Sequence, residues 1–141
     1  MAEEPMVKAD LTKEMIEAGR QLLELLDRAE FRAQACFWFY FSDADRWRLV
    51  IASPKVRAGG PHAAYRTIEA IARKLPEEAR IFTPGHVTAV KDTDPLVGLL
   101  GTAFSTGPGI SGIRFTGNSV NGTFIDDAYI YRLAEHSRRR V

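Results

Sequence analysis

The chain holds one cysteine, three histidines and no surplus of charge, with 19 lysine and arginine residues against 18 aspartates and glutamates. Each scarcity excludes something. A lone Cys36 cannot form an internal disulfide, and one cysteine cannot build the usual cysteine-rich structural zinc site. His62, His86 and His136 lie far apart in sequence, so no two share metal-ligand spacing. A net charge of +1 gives no bulk attraction to nucleic acid or to acidic membranes. No apolar run approaches the length of a membrane span, and the opening stretch MAEEPMVKAD is polar and acidic, unlike a signal peptide. A cytoplasmic protein with no membrane association and no cofactor is expected. No internal repeat, low-complexity tract or linker divides the 141 residues, so a single domain over 1–141 is expected, with 1–9 as a loose lead-in and 134–141 as a tail made basic by Arg138, Arg139 and Arg140.

What is abundant is aromatic and local. The stretch Cys36 to Ala52, CFWFYFSDADRWRLVIA, sets two β-prone runs around the turn cluster Ser42-Asp43-Ala44-Asp45. A hairpin with that four-residue loop puts Phe41 opposite Arg46 and Tyr40 opposite Trp47. Side chains alternate faces along a strand. One face then carries Cys36, Trp38, Tyr40, Trp47, Leu49 and Ile51, apolar throughout and suited to the core. The other carries Phe37, Phe39, Phe41, Arg46, Arg48 and Val50. Burying one phenylalanine contributes roughly 1.5–3 kcal/mol, so three left in water would forfeit several. Something must cover them. The expected order is a helix of the same chain, then a second copy of the protein, then a stacked ligand such as a nucleic-acid base, with the arginines suited to either of the last two.

Around this hairpin the remaining elements follow from period and punctuation. Leu11, Met15, Ala18, Leu22, Leu25, Leu26 and Ala29 recur at helical spacing after Asp10, a candidate N-cap, which predicts a helix over 10–29 with Gly19 as a mild internal cost. Residues 53–61 read as a loop. A second helix opens at Gly60-Pro61 and buries Ala64, Ile68, Ile71, Ala72 and Leu75 until Pro76 stops it. Pro84-Gly85 marks a turn, and 86–90 a short strand. Asp94-Pro95 is a strong helix start, predicting a third helix over 95–105 whose Gly98 and Gly101 let another backbone come close, within the chain or across a dimer. Ile110 to Leu133 reads as a second hairpin about Asn121-Gly122, with Phe115 facing Ala128, Ile113 facing Ile130 and a bulge at Gly117. The order α-β-β-α-β-α-β-β describes an α+β fold, a mainly antiparallel sheet of about five strands with three helices on it.

Chemistry-bearing patterns are few. Lys55, Arg57, Gly59, Gly60 and His62 surround a predicted helix N-terminus, where backbone N–H groups and the helix dipole favour an anion. The plain alternative is a solvated loop. Gly107-Pro108-Gly109 follows a helix and lacks the lysine of a phosphate loop, so it serves to end the helix. Ser53, Ser105, Ser111 and Ser119 sit in no nucleophile-elbow sequence. An acid–base pair of His86 with Asp92 and a mixed metal site using Asp92, Asp94, Asp126 or Asp127 are conceivable, but no spacing demands either, and no metal is expected. Asp126 and Asp127, as neighbours on a strand, point to opposite faces and would not share one ion without a bulge. Three functions remain in order: a self-associating interaction module, a homodimer or a binder of another protein, resting on the phenylalanine face; a nucleic-acid or phosphate-ligand binder using the arginines; and a small enzyme with a histidine acid–base site.

Overall fold

The computed structural model describes residues 8–83 and 85–134; the expectations for 1–7, Pro84, His136 and Arg138–Arg140 lie outside the described residues. The fold is α+β. A five-stranded mixed sheet of order β3-β2-β1-β5-β4 carries helices on both faces, with strands β1 (Ala35–Phe41), β2 (Arg46–Ala52), β3 (Val87–Val90), β4 (Ile113–Val120) and β5 (Thr123–Leu133). Both hairpins fold in the expected registers, Phe41 opposite Arg46 and Tyr40 opposite Trp47 in one, Phe115 opposite Ala128 and Ile113 opposite Ile130 in the other. Asn121 and Gly122 take φ of 49° and 82°, the left-handed pair that a two-residue hairpin turn requires. One pairing departs from the antiparallel rule: β3 runs parallel to β2. The intervening helices return the chain to the same end of the sheet, and a parallel neighbour follows from that crossover.

On one face, α1 (Lys13–Arg28) and α3 (Pro61–Ala72) pack over Cys36, Trp38, Tyr40, Trp47, Leu49 and Ile51, the side predicted to be core. Thr12, two residues past the expected Asp10, caps α1, its Oγ1 accepting the Met15 amide at 3.1 Å. Arg132 is buried and binds both carboxylate oxygens of Asp27 at 3.0 and 2.8 Å, tying the end of α1 to the sheet. Residues 54–59 are not loop. Ser53 caps a short helix, α2 (Pro54–Gly59), and Gly60 links it to α3 with a φ of 86° that only glycine adopts readily.

On the other face lies a second core of Ala35, Phe37, Val50, Ala52, Ala128, Ile130 and Leu133, covered by α4 (Pro95–Gly101) through Leu96, Val97, Leu99 and Leu100, with Phe104 just beyond it. Asp94 caps α4 as expected, its carboxylate accepting the Leu96 amide at 3.0 Å, but the helix ends at Gly101 instead of 105. Among the described residues no helix is long and apolar enough to cross a membrane.

The β4–β5 hairpin breaks alternation once. Ile113, Phe115 and Val120 share the second core, as do Ile125, Ala128 and Ile130, so each strand takes one odd step. Pairing is the same on both sides of the step, Thr116 with Asp127 and Asn118 with Ile125. The expected bulge at Gly117 is therefore a distortion taken by both strands together, with Gly117 at φ 58°. A second irregularity, between β1 and β5, sets Cys36 opposite Arg132 and Phe37 opposite Ile130, leaving Tyr131 as the extra residue.

Candidate functional site

The three phenylalanines meet two different fates. Phe37 is fully buried under the α4 layer, while Phe39 and Phe41 are half-buried. Their rings form one edge-to-face row, Phe37 to Phe39 at 6.2 Å and Phe39 to Phe41 at 4.9 Å. Length explains the gradient. Seven residues of β1 extend roughly 23 Å at 3.3 Å each, whereas seven residues of α4 reach roughly 10 Å at 1.5 Å each. The helix cannot roof the whole strand. Phe124, at the start of β5, adds a third ring at the uncovered end and is 63% exposed. Phe39, Phe41, Phe124, Arg46, Arg48, Asp126 and the Ser42–Ala44 loop enclose a concavity of about 420 Å³.

Only one of the two predicted arginines is available there. Arg48 donates to Thr88 Oγ1 at 2.6 Å and to the carbonyls of Gly85 at 2.9 Å and Val87 at 3.1 Å, so it is bound to β3. Arg46 is exposed on the rim of the same concavity, which Asp43 and Asp126 also line.

Behind this end, on the α1 face, the lead-in is held down. The indole of Trp47 donates to the Ala9 carbonyl at 2.7 Å, and the Ala9 amide donates to Asp45 at 3.1 Å. Lys8 reaches both Asp126 at 3.4 Å and Asp127 at 2.9 Å, an arrangement made possible by the break in alternation. Asp127 also takes Arg114 in a two-pronged pair at 2.7 and 2.8 Å. Burial alone would raise the Asp127 pKa; the hydrogen bonds from Arg114 and Lys8 outweigh it and hold the carboxyl at about 2. Tyr40 donates to Asp45, which pushes the phenol up to about 12. This network leaves the buried acid fully compensated and gives it a structural role.

The predicted anion site is differently built. Lys55 and Arg57 sit on α2, and Arg57 is committed to both oxygens of the buried Asp92 at 3.0 and 2.8 Å. The Gly60 amide donates to Val56 at 2.9 Å, so it closes α2 and does not face a ligand, and Pro61 offers no amide. A side chain at Gly59 would meet only Ala63 Cβ at 3.8 Å. His62 is exposed beside them. The five residues are brought to one junction, but its chief cation already has a carboxylate.

The other candidates are placed as follows. His86 Nδ1 meets Thr83 Oγ1 at 2.9 Å. Ser53 is buried, donating to the Phe31 carbonyl at 2.7 Å and capping α2. Among the described residues no three His, Cys, Asp or Glu side chains gather to hold a metal ion. Gly98 and Gly101 line a second cavity of about 440 Å³ with Asp92, Asp94, Phe104 and Leu133. Among the described residues nothing beyond the adjoining residues and the backbone of α4 itself comes within 4 Å of where their β-carbons would stand. Phe124 and Asp126 were not predicted at the aromatic end; the one available signal was a phenylalanine two residues after a tight turn. No family model, curated protein or solved structure matches the chain.

Proposed function

We propose that the protein is an interaction module that associates with its own copies through the uncovered aromatic end of the sheet and has no catalytic role of its own. The observation that carries this reading is the exposure of Phe124 at 63% beside the half-buried Phe39 and Phe41. Aromatic rings gathered in a shallow depression are the residues that dominate interface energetics. The rim favours a second copy over a polyanion. An isologous contact needs a patch complementary to itself, and this rim carries Arg46 together with Asp43 and Asp126. A two-fold axis can set Arg46 of one copy against a carboxylate of the other, whereas a phosphate backbone would meet both carboxylates.

Light scattering behind size exclusion tests this directly. The wild type is expected at a multiple of the chain mass, and Phe39→Glu is expected to halve it with an unchanged circular dichroism spectrum. A folded Phe39→Glu protein of wild-type mass would remove this end as the interface.

A second reading has one observation of its own. Arg46 next to exposed rings is the pairing that single-stranded nucleic acid uses, with bases stacked and phosphate held by the cation. Binding to a mixed RNA and DNA panel should then fall steeply with added salt and be lost in Phe124→Ala.

A further inference from the structure

The two edges of the sheet are treated differently. On β3, Leu49 and Ser53 donate to the carbonyls of His86 and Val90, so Val87 and Ala89 turn their backbone groups outward. Both are engaged from within the chain: Arg48 donates to the Val87 carbonyl at 3.1 Å, and the Ala89 amide donates to Tyr65 Oη at 2.9 Å. One outward group of each residue is thus held, which blunts that edge. On β4, the hairpin tip is also protected. Gly117 bends the strand at φ 58°, and Asn118 Oδ1 takes the Ser119 amide at 2.8 Å. Between them and Gly112, the straight run Ile113–Thr116 has no hydrogen bond on its outer side among the described residues. An uncapped row of N–H and C=O groups is a template for another strand, and chains ordinarily blunt it.

We infer that this run is a second self-association contact, pairing antiparallel with the same residues of another copy about a two-fold axis at Phe115. The inference rests on the self-association reading but uses a different surface. The sequence of the run selects the axis. Keeping the apolar faces of both copies on one side requires residues of equal parity to oppose one another. Centring on Arg114 would set two guanidinium groups opposite each other, which is destabilising. Centring on Thr116 would set the left-handed Gly117 next to the axis, opposite Phe115, whereas centring on Phe115 leaves it at the end of the ladder, opposite Ile113. Centring on Phe115 opposes Phe115 to its equivalent and Arg114 to Thr116, with no like charges facing. The Phe115 ring already packs edge-on against Phe104 at 5.0 Å and 82°. Pairing would join two such pairs into one aromatic cluster across the axis. With the contact at Phe39, two isologous surfaces on one chain close as a tetramer when their axes cross at right angles.

The solution mass of four proteins tests this: wild type, Thr116→Lys, Phe39→Glu and the double variant. Thr116 is exposed and gives up one hydrogen bond, to Asp127 at 3.2 Å, which Arg114 and Lys8 continue to hold, so an unchanged circular dichroism spectrum is expected while the lysine places a cation opposite Arg114 of the other copy. The wild type is expected as a tetramer, each single variant at half that mass, and the double variant as a monomer. Phe115→Cys under mild oxidation is expected to cross-link to itself between chains. Thr116→Lys at wild-type mass with no cross-link at position 115 overturns the edge contact and leaves that edge for a strand of a different protein. Thr116→Lys at half mass with Phe39→Glu unchanged supports the edge and overturns the aromatic end. A monomeric wild type overturns both.

Discussion

The hydroxyl of Tyr131 occupies the space into which a β-carbon on Gly19 would project. It accepts from the Trp38 indole at 3.0 Å and donates to the Ile16 carbonyl at 2.6 Å. A β-carbon at Gly19 would also lie 2.8 Å from Trp38 Nε1 and 2.9 Å from Tyr131 Cζ. The glycine that interrupts α1 is there because two buried aromatic side chains cross the helix at that point.

Gly19→Ala is therefore expected to destabilise the protein, against the intrinsic preference of helices for alanine. The propensity gain is about 1 kcal/mol, and overpacking a filled site costs about 1–3 kcal/mol. Urea unfolding should give a net loss. Adding Tyr131→Phe removes the clashing oxygen, so the double variant should lose less than the sum of the two single changes. Simple additivity would mean that Tyr131 is not what excludes a side chain at position 19.

The acid limb of stability should carry the signature of Asp127. Its pKa in the folded chain, about 2, lies below the ordinary 3.8. A depressed carboxylate contributes stability that is complete above the unfolded value and lost as pH falls through the folded one. The loss is expected between about pH 4 and pH 2. Asp127→Asn should be less stable at neutral pH by about 1–3 kcal/mol, and its stability should fall less across that window. An unchanged acid slope in the variant would assign the limb to other groups.

Arg48→Met should open the β3 edge. Its three hydrogen bonds to Thr88, Gly85 and Val87 disappear together, leaving the Val87 carbonyl uncapped. A loss of about 1–3 kcal/mol is expected from unsatisfied groups, with more concentration-dependent aggregation than the wild type. Arg48→Lys should restore little, because one ammonium cannot reproduce the fork that reaches all three acceptors. Full recovery by lysine would argue for a simple charge effect.

Cys36 should be inert in the folded protein. It is fully buried, and burial pushes the thiol far above its usual range, the Arg132 cation opposing this only in part. Thiol reagents are expected to modify it only at the rate of unfolding, so labelling should accelerate with urea. Rapid labelling in buffer would show local opening of β1.

The chain's local chemistry is legible in its residues. Alternation sorted the first hairpin into two faces, Asn121-Gly122 set the register of the second, and Asp94-Pro95 started α4, because each depends on neighbours a few positions apart. The decisive features of the candidate surface depend on groups far apart in sequence. Whether Phe39 and Phe41 are roofed turns on the length of α4, more than fifty residues away. That Arg48 is bound while Arg46 is available turns on where β3 lies, and β3 lies parallel because of a crossover whose hand and length no local pattern states. Asp126 and Asp127 reach one lysine only because two strands distort together. Sequence alone determined the main helices and strands, the registers of the two hairpins and the two faces of the first, since these follow from local propensity and periodicity. Tertiary structure alone decided which apolar face stays uncovered and which edge stays open, since coverage is set by the sizes of elements that meet only after the chain has folded.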